Sequence, residues 1–307
     1  MQLFADILLT VTLPIIALVG LGFGAQKRLH LDVPSLNRLL VFVIMPAFLV
    51  HFLASARQPI ATLWPTIYFT AIQFAALMAL GWLAAVVFRL PREFRPIMAM
   101  ATVYANVGNY GIPLVKLAFP EDFILHQSVI TSMMTMLIVS VGAWMLAPSR
   151  GDTGALSRLK VAFETPVVPA VIIGLTLRAL EIRLPPIIGL PIELIGSTFP
   201  PLALFALGAQ LAETGKGDLE KGPMSVLLIL KLLAAPALTL GLAMALGMPR
   251  DLTDLYVVAA ATPVGVLLAL FCAEYGRQPR FVSGAVLIST LLSPIVVTGW
   301  ILFMRLS

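Results

Sequence analysis

Ten runs of about twenty consecutive apolar residues divide this chain, and that spacing leaves few folds open to it. At 1.5 Å of helical rise per residue, a run of about 20 reaches across a ~30 Å hydrocarbon core. The runs are continuous rather than alternating, so they read as helices and not as the strands of a barrel. Composition agrees. Charged residues are 11% of the 307 and hydrophobic residues 60%, whereas a soluble domain carries about 25% charge. The expected fold class is an all-α integral membrane protein.

Spanning segments are expected at 5–25, 36–56, 64–88, 95–117, 124–147, 165–182, 191–212, 223–247, 252–275 and 281–304. The first apolar stretch has its cations, Lys27 and Arg28, behind it. A cleavable leader has them in front, so this stretch is expected to remain as the first span. The net charge of +5 does not suggest nucleic acid, because the Lys and Arg residues sit between apolar runs, where topology signals lie. Thirteen of them fall in the odd-numbered loops, among them Arg89, Arg92, Arg150, Arg158, Lys216 and Arg277. Five (Arg57, Arg178, Arg183, Arg250, Arg305) fall in the even loops and tails. Cytoplasmic loops collect cations, so both termini are expected on the outer side of a cell membrane, the inner one in a bacterium. Cys272 is the single cysteine, which excludes an intrachain disulfide and a multi-cysteine metal site. No cofactor is expected. Neither G-x-S-x-G nor a His pair at ligand spacing occurs, which argues against an intramembrane enzyme.

The sequence also suggests an internal repeat. Pro14 and Pro46 have counterparts 155 positions on, at Pro169 and Pro201, and Val107-Gly108 recurs 157 positions on as Val264-Gly265. The expected organisation is a first five-helix repeat over 1–148, a polar cytoplasmic linker over 149–164 and a second repeat over 165–307. Because five is odd, the second repeat would be inverted relative to the first.

Spans 4 and 9 stand apart. One carries Asn106-Val107-Gly108-Asn109-Tyr110-Gly111-Ile112-Pro113, the other Ala261-Thr262-Pro263-Val264-Gly265. Gly and Asn are weak helix formers and Pro removes a backbone donor. Non-helical backbone at membrane depth survives only inside protein or beside a wet cavity. Asn106 lies 11 residues in from Arg95, and Pro263 lies 11 in from Leu252. That is about 16 Å, so both breaks are expected near the midplane. Paired breaks in inverted halves point to a transporter's binding site, with helix N-termini offering partial positive charge to an anion.

At these residues the sequence resembles the auxin efflux carrier family, whose members include plant auxin exporters and bacterial malonate carriers. The likeness rests on Asn106 with Gly111-Ile112-Pro113-Leu114 and Lys116, and on Pro263-x-Gly265 with Glu274-Tyr275 and Pro279. Pro46, His51-Phe52, Leu207-Gly208, Lys231 and Pro236 extend it over nearly the whole chain. The resemblance implies ten helices as two inverted repeats with crossed broken helices, the architecture of bile-acid carriers and cation/proton exchangers. It implies a scaffold of spans 1, 2, 6 and 7, a mobile transport domain of spans 3–5 and 8–10 working as an elevator, and a homodimer. It further implies that Asn106 holds a substrate carboxylate and that Ser132 is the span-5 contact. Ala105 replaces the Pro of plant exporters, and Leu49 stands where they have a polar contact.

The function expected is therefore secondary transport of small organic anions, auxin-like or dicarboxylates such as malonate, by a protein whose other partner is membrane lipid. A sodium- or proton-coupled bile-acid-type carrier, or a cation/proton exchanger of the same architecture, is the alternative. Asn106 and Asn109 have two readings each: ligand contact, or satisfaction of backbone groups freed by the break. Tyr110 reads equally as cavity lining or packing. Gly108, Gly111, Pro113, Pro263, Val264 and Gly265 shape the crossover and expose backbone amides to a ligand. Lys231 is a charge inside span 8 that must either snorkel or find a partner, Glu274 in the neighbouring span. Lys116 is expected to snorkel at the outer end of span 4, and His51 and His126 read as structural more often than as proton carriers. No Asp or Glu lies at mid-span.

Overall fold

The computed structural model describes residues 9–10, 13–55, 60–146, 166–213 and 221–306. The linker expected at 149–164 and the loop cations Arg57, Arg150, Arg158, Lys160 and Lys216 lie outside these residues. The described residues are helical throughout, apart from turns and one isolated β-bridge.

In chain order the helices are α1 (Leu13–Leu29), α2 (Val33–Ser55), α3 (Trp64–Val87), α4 (Phe94–Val103), α5 (Gly111–Ala118), α6 (Phe123–Leu137) and α7 (Val167–Ala179). They continue as α8 (Pro186–Ser197), α9 (Phe199–Glu213), α10 (Gly222–Ala245), α11 (Arg250–Ala260), α12 (Val266–Glu274) and α13 (Pro279–Leu306). Among the described residues, five stretches are long and apolar enough to cross a membrane: α2, α3 with its leading turn from Ala61, α8 together with α9, α10 and α13. The second span starts at Val33 rather than at 36, because the Asp32 carboxylate accepts the Ser35 amide and Pro34 occupies the first turn. Those bonds from Ser35 hold the Asp32 carboxyl below its usual value.

Polarity is inverted relative to a water-soluble protein. Ile187 is 83% exposed and Ile295 73%, while Gln73, Thr102, Gln127 and Lys231 are buried. In a bilayer this distribution leaves apolar side chains facing lipid and polar ones paired internally. Small residues permit the closest helix contacts. A methyl group on Gly22 of α1 or Gly208 of α9 would overlap the other helix's backbone, so these helices touch main chain to main chain.

Prolines inside the spans are compensated locally. The wide turns Leu40–Ile44 and Leu230–Ala234 immediately precede the helical stretches that carry Pro46 and Pro236. Pro236 cannot donate to the Leu232 carbonyl four residues back, and the Trp300 indole donates to it instead at 3.1 Å. Likewise the Thr290 carbonyl, which Pro294 leaves without its helical donor, takes the Ser293 hydroxyl at 3.0 Å.

Two groups of helices pack most closely among themselves. In one, α1 lies along α9, and α7 and α8 lie on α2. In the other, α3 packs on α4 and α6, α10 on α11, and α12 on α13. Spans 4 and 9 of the sequence reading are the interrupted ones, α4–α5 and α11–α12.

Candidate functional site

The two interruptions meet. Tyr104 leaves α4 in an extended conformation, and Ala105 forms an antiparallel bridge with Val264. The Asn106 amide donates to the Pro263 carbonyl at 2.8 Å, and the Gly265 amide donates to the Tyr104 carbonyl at 3.0 Å. Each break thus uses the other as a short strand partner, the means by which unwound backbone stays satisfied at depth. Gly265 is required for this approach. A Cβ there would lie 2.3 Å from the Tyr104 ring.

Side chains close the rest of the loop. Val107 O accepts from Gln127 Nε2 at 2.8 Å and from the Thr131 hydroxyl at 3.2 Å, both on α6. The Val264 amide donates to Ser289 Oγ of α13 at 3.0 Å. The Asn106 carbonyl receives the amides of Tyr110 and Gly111, which starts α5. Lys231 is fully buried, and its Nζ donates to the Thr102 carbonyl, at the negative end of α4, at 3.4 Å. It does not snorkel. The side chain of Glu274 lies outside the described residues, and with it the expected pairing with Lys231.

The backbone donors left over are informative. Among the described residues, the amides of Ala105, Gly108, Asn109, Val266 and Leu267 donate to no acceptor. Asn106 is 5% exposed, and its Nδ2 has no hydrogen-bond partner. A buried amide without a partner costs about 1–3 kcal/mol. Asn109 and Gly108 are half-buried beside it, Gly108 packed against Met45 and Thr131. The meeting point of the breaks is therefore rich in unfilled donors, an arrangement suited to an anion.

The other expected residues fall around this centre in different ways. Tyr110 is 1% exposed and packs with Ile15, Leu114, Leu207 and Val297, which favours its packing reading. Ser132 is buried, and its hydroxyl donates to the Ser128 carbonyl four residues back. Pro113 and Val264 are buried in the crossing itself. Lys116 is exposed, with its Nζ 5.7 Å from the centre of the Phe52 ring. His126 is buried with its Nδ1 2.6 Å from the Thr66 hydroxyl, which also accepts from the Tyr256 hydroxyl at 3.0 Å.

Sequence reading missed Gln127, Thr131 and Ser289. A signal was present for the first two: His126, Gln127, Ser128, Thr131, Ser132 and Thr135 put an unusual density of polar groups into one span. Nothing in the local sequence distinguishes Ser289.

Comparison with known proteins gives the family. A profile of the family described as membrane transport protein matches residues 7–158 and 155–301, nearly the entire chain. The chain belongs to this family, that of the auxin efflux carriers. A Rhizobium meliloti protein named "Putative malonate transporter" is 25% identical over 315 residues, spanning 95% of this chain and 94% of that one. The rice "Probable auxin efflux carrier component 5b" is 31% identical over 149 residues, which is 47% of this chain and 40% of the rice protein. The Arabidopsis thaliana "Auxin efflux carrier component 2" is 28% identical over 124 residues and is matched over 19% of its length. The family member described here is thus a multi-pass membrane transport protein and not an enzyme.

Proposed function

We propose that this transporter carries small organic anions through the point where its two broken helices meet. The observation that carries the reading is the buried Asn106 Nδ2, without a partner, among free backbone amides. A carboxylate held by neutral donors is bound without a permanent countercharge, and a carrier must release what it binds. Malonate and indole-3-acetate are the acids to try first, because relatives are named for malonate and auxin.

The architecture proposed is ten passes, with α4–α5, α8–α9 and α11–α12 each counted as one. They form inverted repeats over 1–148 and 165–307, joined by a cytoplasmic linker at 149–164. The two family-profile stretches that adjoin at 155–158 support that division. The packing of α1, α2, α7, α8 and α9 with one another supports a scaffold, and the remaining helices would be the transport domain of an elevator. A homodimer in the cell membrane, with both termini outside, completes the reading. The orientation rests on the thirteen cations in odd loops against five in the even loops and tails. Cysteines introduced at 121 and 152 test it: an impermeant outside reagent should label 121 and spare 152, and the reverse pattern would invert the topology.

The site is tested by thermal-shift titration of purified wild type and Asn106→Ala with malonate and indole-3-acetate. A hydrogen bond to a charged group is worth about 1.5–3 kcal/mol. The variant should therefore bind about ten- to a hundredfold more weakly while expressing and assembling normally. Asn106→Asp should be worse, since it sets a negative charge against the substrate's own. Wild-type affinity in a folded Asn106→Ala protein would place the site elsewhere.

A further inference from the structure

Gln127 is fully buried on α6, and only half of its carboxamide is accounted for. Its nitrogen donates to Val107 O at 2.8 Å. That carbonyl is an acceptor already shared with the Thr131 hydroxyl, which settles which end of the amide is nitrogen. The oxygen, Oε1, is buried and has no donor. The carboxamide lies against the first residue of α5, with Nε2 2.7 Å and Cδ 3.6 Å from where a Gly111 Cβ would sit. Asn106 touches the same residue, its carbonyl accepting the Gly111 amide at 2.9 Å and lying 3.5 Å from that Cβ position. Besides the Tyr110 hydroxyl, which sits in the apolar cluster, the start of α5 therefore buries one unfilled donor, Asn106 Nδ2, and one unfilled acceptor, Gln127 Oε1.

A bare carboxylate can fill only the first of these, because it has no hydrogen to give. We propose that Gln127 Oε1 is the acceptor half of the anion site, selecting carboxylates that carry a second, protonated O–H or N–H group. The inference rests on the anion reading above and narrows it. It also assigns Gln127 two tasks. The nitrogen holds the Val107 carbonyl out of the anion's way, and the oxygen reads the substrate's donor. On this assignment a dicarboxylic acid is carried as its monoanion, bringing its own proton, and the protein needs no titrating carboxylate at the crossing.

Matched ligand pairs test it on the purified full-length protein. Indole-3-acetate is compared with benzofuran-3-acetate, which replaces N–H by O. Hydrogen malonate is compared at one pH with monomethyl malonate, which replaces O–H by O–CH₃. One neutral hydrogen bond predicts that wild type binds the donor-bearing member about three- to tenfold more tightly in at least one pair, and the pair that responds names the donor. Gln127→Met, in which Thr131 still holds Val107, should bind both members of that pair equally. Equal affinity within both pairs in wild type, or a preference that survives in Gln127→Met, overturns the assignment. Failure of wild type to bind any of the four acids overturns the anion reading beneath it. Should Gln127→Met not fold, the wild-type pairs alone decide.

Discussion

The two breaks pair with each other through main-chain bonds, yet they are built from different materials. The first, between Val103 and Gly111, is long and polar. It offers Asn106, Gly108 and Asn109, and it is held by Gln127, Thr131 and Lys231 from two other helices. The second, Ala261 to Gly265, is short and almost featureless. It supplies a proline, a buried valine and a glycine, and among the described residues Ser289 is the one side chain from another helix that hydrogen-bonds to it. Equivalent positions in a repeat need not share a task. On the proposed reading, the first break supplies the side chain that recognises a ligand, and the second supplies the surface on which the first is laid out, with the free amides of Val266 and Leu267 at its end.

The sharpest way to break this division is at Gly265. Its added Cβ meets the Tyr104 ring at 2.3 Å and the Ala105 carbonyl at 3.3 Å, so Gly265→Ala forces the two loops apart. Overpacking of this kind costs about 1–3 kcal/mol or more. We expect loss of transport and of any anion-induced thermal shift, although no ligand group is removed. A Gly265→Ala protein that still binds malonate or indole-3-acetate normally would show that the second break does not shape the first.

A smaller effect is expected at Lys231. If Glu274 is its partner, Lys231→Met and Glu274→Gln each leave a charge in a dry site and lower the yield of folded protein, while the double variant recovers part of the loss. Strictly additive losses would remove the pairing. The Thr102 carbonyl at the end of α4 would then be left as the reason for the lysine's position.

The mildest change is Ser289→Ala, which strips the Val264 amide of its acceptor. A buried unpaired amide costs about 1–3 kcal/mol, seen as a melting temperature lower by a few degrees. Anion affinity should stay within about twofold of wild type, because in this scheme the second break offers no ligand side chain and the Val264 amide is not one of its free donors. A tenfold loss of affinity in Ser289→Ala would make the Val264 amide part of the ligand site.

How far the sequence carries depends on the kind of information each feature needs. The five long spans were legible because a bilayer demands an apolar run of a certain length, and a run is a local property. The breaks at 104–110 and 261–265 were legible for a related reason. Gly, Pro and Asn at mid-span violate the helix locally, so their cost is visible without any neighbour. Lys231 was legible only as a problem. A charge at depth needs an answer, but the Thr102 carbonyl lies 129 positions away in the chain, and helical spacing cannot point to it. Tyr110 reads from sequence as either lining or packing, and only the apolar cluster around it separates the two.

Sequence by itself determined that this chain is an all-helical membrane protein with two interrupted spans and an asparagine in the first of them. Each of these follows from what lipid permits one segment to do. Tertiary structure alone decided that the two interruptions hydrogen-bond to each other, that Gly265 is small for the sake of Tyr104, and that Gln127 and Ser289 secure the crossing. These are meetings between residues 20 to 161 positions apart. Hydrogen-bonding need is written in a residue's chemistry, but the partner that meets it is chosen by packing.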